Sequence, residues 1–195
     1  MAKDQPLFVD ARADRPPAAS SQSRGFRTRE VELFTELYRG LQLQTGQIVP
    51  PRKMFSPAEA RSLLPYVSIM EIKEPGLALV RLVGTAIVNR TRIDNTGRNM
   101  LDLFPPETRG WSWDHFRRLL DTPCGCTFLS REDYENARVL VEVASFPLAD
   151  QDGKAVFIVS LSVEIDRQSL MLRGEAAMQI AELHNYRYID IGAGV

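Results

Sequence analysis

The chain is 195 residues long, 44% hydrophobic and 25% charged, which sets an expectation of about one domain with extensions and enough apolar material for its own core. Its 24 Lys and Arg balance 25 Asp and Glu to a formal net charge of -1, so no global field draws it to nucleic acid or to an anionic membrane. The first residues lack the apolar run of a signal peptide, and the longest largely apolar stretch, Ala155 to Val163, is too short to span a bilayer. A cytoplasmic protein is expected, in keeping with a cysteine content of only Cys124 and Cys126.

Residues 1–25 mix charges with Pro6, Pro16, Pro17 and the small polar run Ala18 to Ser23, a composition that cannot repay its ordering entropy; a disordered tail is expected there. From Thr28 the pattern changes. Val31, Phe34, Tyr38 and Leu41 recur at helical spacing with Leu37 widening the stripe, which predicts an amphipathic helix closed by Gly46. Ser56-Pro57-Ala58-Glu59 combines an N-cap serine, a first-turn proline and a capping-box glutamate, and predicts a second helix over 57–64 that Pro65 stops.

Tyr66 to Lys73 alternates and is rich in Val and Ile, and Glu74-Pro75-Gly76 turns it into Leu77 to Val83, so the two runs read as an antiparallel hairpin. From Gly84 to Leu120 the β pattern stops; short helical pieces are punctuated by Asn95-Thr96-Gly97 and Pro105-Pro106, the last of them over about Arg109 to Leu120. Three further strands follow, Cys124 to Arg131, Arg138 to Pro147 and Ala155 to Glu164, the last two joined by the turn Asp150 to Gly153. After them, Ala177, Ile180 and Leu183 are spaced three apart and predict a short helix over Ala176 to His184, followed by a strand from Tyr186 to Ile191.

Two strands, a connector of short helices and three strands is an order that resembles the PAS fold, and Gly84-Thr85 directly after the second strand is similar to that family as well. The resemblance extends to a bacterial PAS-like subgroup of about this length, through Pro51-Arg52, Ser56-Pro57, Leu64-Pro65, Thr96-Gly97-Arg98-Asn99 and Leu101-Asp102-Leu103-Phe104, and covers about residues 30–165. It implies an α+β domain with a five-stranded antiparallel sheet over 26–165, N-terminal flanking helices, and a C-terminal extension over 166–195. It further implies a sensory or protein-interaction module, dimeric through a flanking helix, with or without a ligand between sheet and helices.

The candidate pocket comprises Val80, Leu82, Met100, His115, Phe116, Phe157 and Val159, placed on strands and helices expected to face one another. Gly97-Arg98-Asn99-Met100 resembles the flavin-site sequence of light-oxygen-voltage domains, but Met100 stands where their reactive cysteine would, and a thioether cannot form that adduct. His115 falls where haem-binding PAS domains place an iron ligand, but an isolated histidine on an aromatic-rich helix is more often a packed or solvent-edge residue. Cys124 and Cys126 lack the second ligand pair of a zinc site and read as two small core residues. Asp150 to Gly153 lacks the distal glutamate of a calcium loop, Glu132, Asp133 and Glu135 read as a solvated turn, and Arg90, Arg92 and Arg98 read as solvated surface rather than a phosphate site. No activated-nucleophile, phosphate-loop or metalloprotease motif is present, so no enzyme, cofactor or metal is expected.

The expectation is therefore a non-catalytic regulatory module for signal sensing and protein interaction. The residues outside the domain are too few for a kinase, cyclase or DNA-binding unit, so its output is expected to pass to a separate signalling partner. The alternative is a sensor holding haem, flavin or a small metabolite. A homodimer is expected through Val31, Phe34, Leu37, Tyr38 and Leu41, because a lone flanking helix needs less apolar surface than this stripe carries; the competing arrangement lays the helix over the outer face of its own sheet.

Overall fold

The computed structural model describes residues 26–56, 60–134, 136–170 and 179–194, so the expected tail over 1–25 and the start of the second helix lie outside the described residues. Helix α1 (Arg29–Thr45) begins at Thr28, whose side chain accepts from the Val31 N–H at 3.3 Å, and ends at Gly46, whose φ of +66° lets its N–H donate back to the Gln42 carbonyl. Over 60–66 the chain forms a turn and a 3-10 turn, Leu64–Tyr66, rather than the continuous helix expected to end at Pro65. Proline has no N–H to give, and here it occupies the first turn of the tighter helix.

Strands β1 (Val67–Ile72), β2 (Ala78–Val83), β3 (Cys124–Asp133), β4 (Ala137–Ala149), β5 (Ala155–Ser169) and β6 (Gln179–Asp190) form one antiparallel sheet in the order β2-β1-β5-β4-β3-β6. Between β2 and β3 run α2 (Thr85–Thr91), the 3-10 turns Met100–Leu103 and Pro106–Thr108, and α3 (Arg109–Asp121). Gly84 makes the entry to α2 possible: its N–H bonds the Val67 carbonyl at 2.7 Å, and a Cβ there would sit 2.3 Å from the Pro65 carbonyl oxygen.

The sheet has six strands where five were expected, because the segment from Gln179 is a strand and not a helix. The reason lies in its bulges. Against β3, the register slips once between Glu182 and Ile180 and once between Arg187 and His184, and each slip inserts one extra β6 residue. Ile180, Leu183 and Tyr186 consequently share one face of a strand at three-residue intervals, a spacing that in sequence is indistinguishable from a helical one.

Helix α1 lies on the outer face of its own sheet. Val31, Phe34 and Tyr38 are buried there with Val67, Ile69, Phe146, Leu148, Val159 and Leu161, and Leu37 packs at the margin. The Tyr38 ring stacks on Phe146 at 4.4 Å, and its hydroxyl donates to the Pro147 carbonyl at 2.9 Å. Phe146 in turn packs closely on Gly125, where a Cβ would come within 2.3 Å of the ring. At the other end of the helix, buried Glu142 accepts from the Arg27 N–H at 2.8 Å and from the N–H and hydroxyl of Thr28 at 2.7 and 2.8 Å. The pairing of two such stripes across a dimer is therefore corrected: Val31, Phe34, Tyr38 and Leu41 are at most 2% exposed within the single chain.

Two substitutions test this seat. Gly125→Ala is expected to destabilise the fold by about 1–3 kcal/mol through overpacking against Phe146. Glu142→Ala removes a charged acceptor from three donors and is expected to cost about 2–4 kcal/mol. Urea titrations of both variants read the losses; midpoints equal to wild type would refute the described packing.

Candidate functional site

The inner face of the sheet looks toward the connector helices. Met70, Ile72, Ala78, Ile158, Cys124 and Cys126 contribute from the strands, and Leu101, Phe104, Leu119 and Leu120 close over them. Across this apolar surface runs one polar rung. Cys126 on β3 stands opposite Ser145 on β4, which stands opposite Ser160 on β5. The two serine hydroxyls are 2.8 Å apart, and the Cys126 thiol is hydrogen-bonded to both Ser145 and Tyr186. Burial pushes the Cys126 thiol up to about 12; it pushes Cys124 up to about 11, with the nearby Arg118 charge opposing. Both are neutral thiols at physiological pH, unsuited to nucleophilic attack. Burial likewise raises the Tyr186 hydroxyl well above its ordinary value, with Cys126 adding to the effect.

A second polar cluster ties α2 to the sheet. The Arg90 Nε donates to Glu132 at 3.0 Å, and its terminal nitrogens reach Glu132 again at 3.3 Å, the Ser162 hydroxyl at 2.7 Å and the Ser162 carbonyl at 3.3 Å. Tyr134 donates its hydroxyl to the same carboxylate. The Arg90 and Glu132 side chains are only 5% and 7% exposed, so this is a buried ion pair and not the solvated surface and solvated turn expected of these residues. Sequence separation hid it: the partners are 42 positions apart, and only the sheet brings them together. Arg90 is thus taken up within the protein, and Arg92 caps α2 at φ 60°; Asp133 pairs with Arg138 at 3.0 Å, and Glu135 lies outside the described residues. Beside Glu132 on the inner face of β3, the buried Ser130 hydroxyl has no hydrogen-bond partner.

The third feature is an aromatic seam between α3 and β6. His115 Nδ1 donates to the Trp111 carbonyl at 2.9 Å, and its ring lies 3.6 Å from Trp111, 5.0 Å from Tyr186 and 6.2 Å from Tyr188. Tyr186 also stacks on Phe128 at 5.2 Å, and the Arg118 guanidinium covers Tyr188 at 4.3 Å.

Of the residues proposed to line the pocket, Met100 and Phe116 pack in the inner cluster, Val80 stands opposite inner Met70, and His115 belongs to the aromatic seam. Leu82, Phe157 and Val159 are corrected to the outer face, against α1. In β2, a bulge at Arg81 sets Leu82 opposite outer Ile69, so the face changes within one strand. In β5 the whole phase is shifted by one residue, with Ile158 inside. That strand is buried on both faces, and a continuous apolar run carries no information about which face is which. Gly97 to Met100 clips the connector to β2: Gly97 takes a φ of +81° and donates to Val80, the Arg98 carbonyl accepts from Val80, and Asn99 Oδ1 accepts from Ala78 and Leu101 at 3.0 and 3.2 Å. Asp150 makes the expected hairpin turn by accepting from Asp152 and Lys154, both at 2.9 Å. Among the described residues no group of three or more His, Cys, Asp or Glu could hold a metal ion, and no helix is long and apolar enough to cross a membrane.

A sequence model of the PAS domain family matches residues 32–162, which spans α1 and the sheet as far as β5. The chain belongs to the PAS domain family. No curated protein matches it in sequence. Among solved structures it is similar to a light-oxygen-voltage domain studied with a flavin analogue, at 15% identity, covering 58% of this chain and 88% of that one with a TM-score of 0.44. It is also similar to the light state of the blue-light photoreceptor Aureochrome1 LOV, at 16% identity over 57% of this chain and 89% of that one, TM-score 0.42. A third neighbour is an RNA-binding light-oxygen-voltage receptor, at 14% identity over 76% of this chain and 37% of that one, TM-score 0.42.

Removing one partner of the ion pair leaves a buried charge, so Glu132→Leu and Arg90→Met are each expected to cost about 3–5 kcal/mol, whereas the double change Arg90→Met with Glu132→Leu costs less than either single change. Chemical denaturation of the three variants decides this. Native Cys124 and Cys126 are expected to react with a thiol reagent far more slowly than in denaturant at pH 8. Because both thiol pKa values are raised by folding, to about 11 and about 12, their contribution to stability is fully present below about pH 8.5 and is lost as pH rises through the folded values. A pH titration of the unfolding midpoint checks the sign.

Proposed function

We propose that this PAS domain is a non-catalytic regulatory module that senses a signal and interacts with protein, and that it hands its output to a separate cytoplasmic partner. One observation carries the reading: the chain's own side chains occupy the space between sheet and connector, where Ile158 and Cys124 are 0% exposed and Cys126, Leu119 and Leu101 at most 3%. The buried groups that could do chemistry are also engaged in structure. Glu132 is held by Arg90 and Tyr134, Glu142 by the start of α1, and both cysteines are neutral.

A ligand-binding sensor is the second reading, and the rung Cys126–Ser145–Ser160 favours it. Hydroxyls and a thiol on an otherwise apolar sheet match a small uncharged metabolite with hydrogen-bonding groups along one edge. For flavin, Met100 precludes a cysteinyl adduct at that position.

An absorption spectrum and native mass spectrum of one purified sample separate the two. The expected result is no band beyond the aromatic region and the mass of the bare chain or its oligomer. A flavin or haem band, or a stoichiometric added mass, overturns the first reading in favour of the second.

A further inference from the structure

The sheet has two edges, and they are treated differently. The β2 edge is covered by its own connector: Val80 exchanges hydrogen bonds with Arg98 and Gly97, and Ala78 donates to Asn99. Among the described residues nothing pairs with the outer edge of β6, a strand running Gln179–Asp190 and lying beyond the stretch that matches the family. An open edge presents a row of backbone donors and acceptors and invites another strand. Bulges usually blunt such edges, and β6 has two, so a second strand fits only if its irregularities coincide with these.

A second copy of β6 meets that condition in one arrangement. Ile180, Leu183, Tyr186 and Tyr188 face inward; Glu182 stands opposite Arg131 and His184 opposite Leu129 on the outer face, 3.0 Å apart from each other. An antiparallel pair with its two-fold axis through Leu183 sets the extra position 181 against the extra position 185 and Ile180 against Tyr186. It also sets Glu182 against His184 of the second copy, twice. Each imidazole then lies between two carboxylates. Centring the axis between His184 and Asn185 instead would oppose Glu182 to Arg187 but would set inner Ile180 against Ile189, which packs on the outer face. We propose that the open edge of β6 pairs with β6 of a second copy about a two-fold axis through Leu183, forming a homodimer whose sheet runs continuously through both chains. This interface is independent of the signalling role proposed above and replaces the α1 stripe as the dimer contact.

Sedimentation velocity over a concentration series of the full chain tests it, with variants at a residue that is 45% exposed and therefore tolerant of change. His184→Glu places like charges opposite each other in two cross-strand pairs and is expected to weaken the dimer roughly tenfold or more. His184→Lys keeps the attraction and is expected to preserve or tighten it. Circular dichroism confirms that each variant is folded. Should His184→Glu fail to fold, concentration-dependent slowing of β6 amide exchange in the wild type, retained in His184→Lys, supports the pairing, and exchange independent of concentration overturns it. A wild type that stays monomeric at its highest soluble concentration overturns the proposal, as does a dimer that His184→Glu and His184→Lys affect equally.

Discussion

A phenylalanine ring lying where a side chain would otherwise be determines how this domain is layered. Phe146 on β4 occupies the space left by Gly125 on β3, and Tyr38 stacks on the same ring, which brings α1 down onto the outer face. With the helix seated, its N-terminal turn meets Glu142, whose carboxylate satisfies donors that a helix start leaves without intrahelical partners. The sheet thereby becomes buried on both sides. Its strands need apolar residues in both phases, and the chain supplies them in β5 and in the lower half of β4.

Burial on both sides makes the few polar groups inside consequential. Cys126, Ser145 and Ser160 satisfy one another only in the observed register, since a slip of one residue would send them to the face covered by α1. Arg90 performs the corresponding task for α2. By reaching both β3 and β5 it holds a seven-residue helix, too short to be stable alone, against the edge of the inner cluster. These contacts align the strands and orient the connector, and the apolar packing contributes most of the stability.

The sixth strand extends the PAS core in a specific way. The family match ends within β5, yet β6 supplies the hydroxyl that meets Cys126 and the aromatic rings that close the space beside α3. Without it, the β3 edge and one flank of the inner cluster would be open. The C-terminal segment thus completes the core of the domain, which accounts for the tyrosines and isoleucines it carries.

Local rules alone placed most of the elements. Thr28 and Gly46 bound α1, alternation and turn residues delimit β1 through β5, and Gly84-Thr85 with the order of elements leads to the PAS fold; each of these signals lies within a few neighbouring residues. The facing of β5, the change of face in β2 and the strand nature of β6 are not legible in the same local signals. A strand buried on both sides has no polar alternation to report its phase, and a bulge alters the periodicity from which a strand is recognised. Nor does the sequence show that Arg90 and Glu132 are partners, or decide between a dimer and the protein's own sheet as the cover of the α1 stripe, because a charge or an apolar face in sequence does not state what lies across from it. For α1 and β1 through β5, element type follows from short-range sterics and hydrogen bonding, which neighbouring residues carry. Which face is inside, and which groups meet there, is decided by contacts between segments far apart in the chain, and only the tertiary structure contains them.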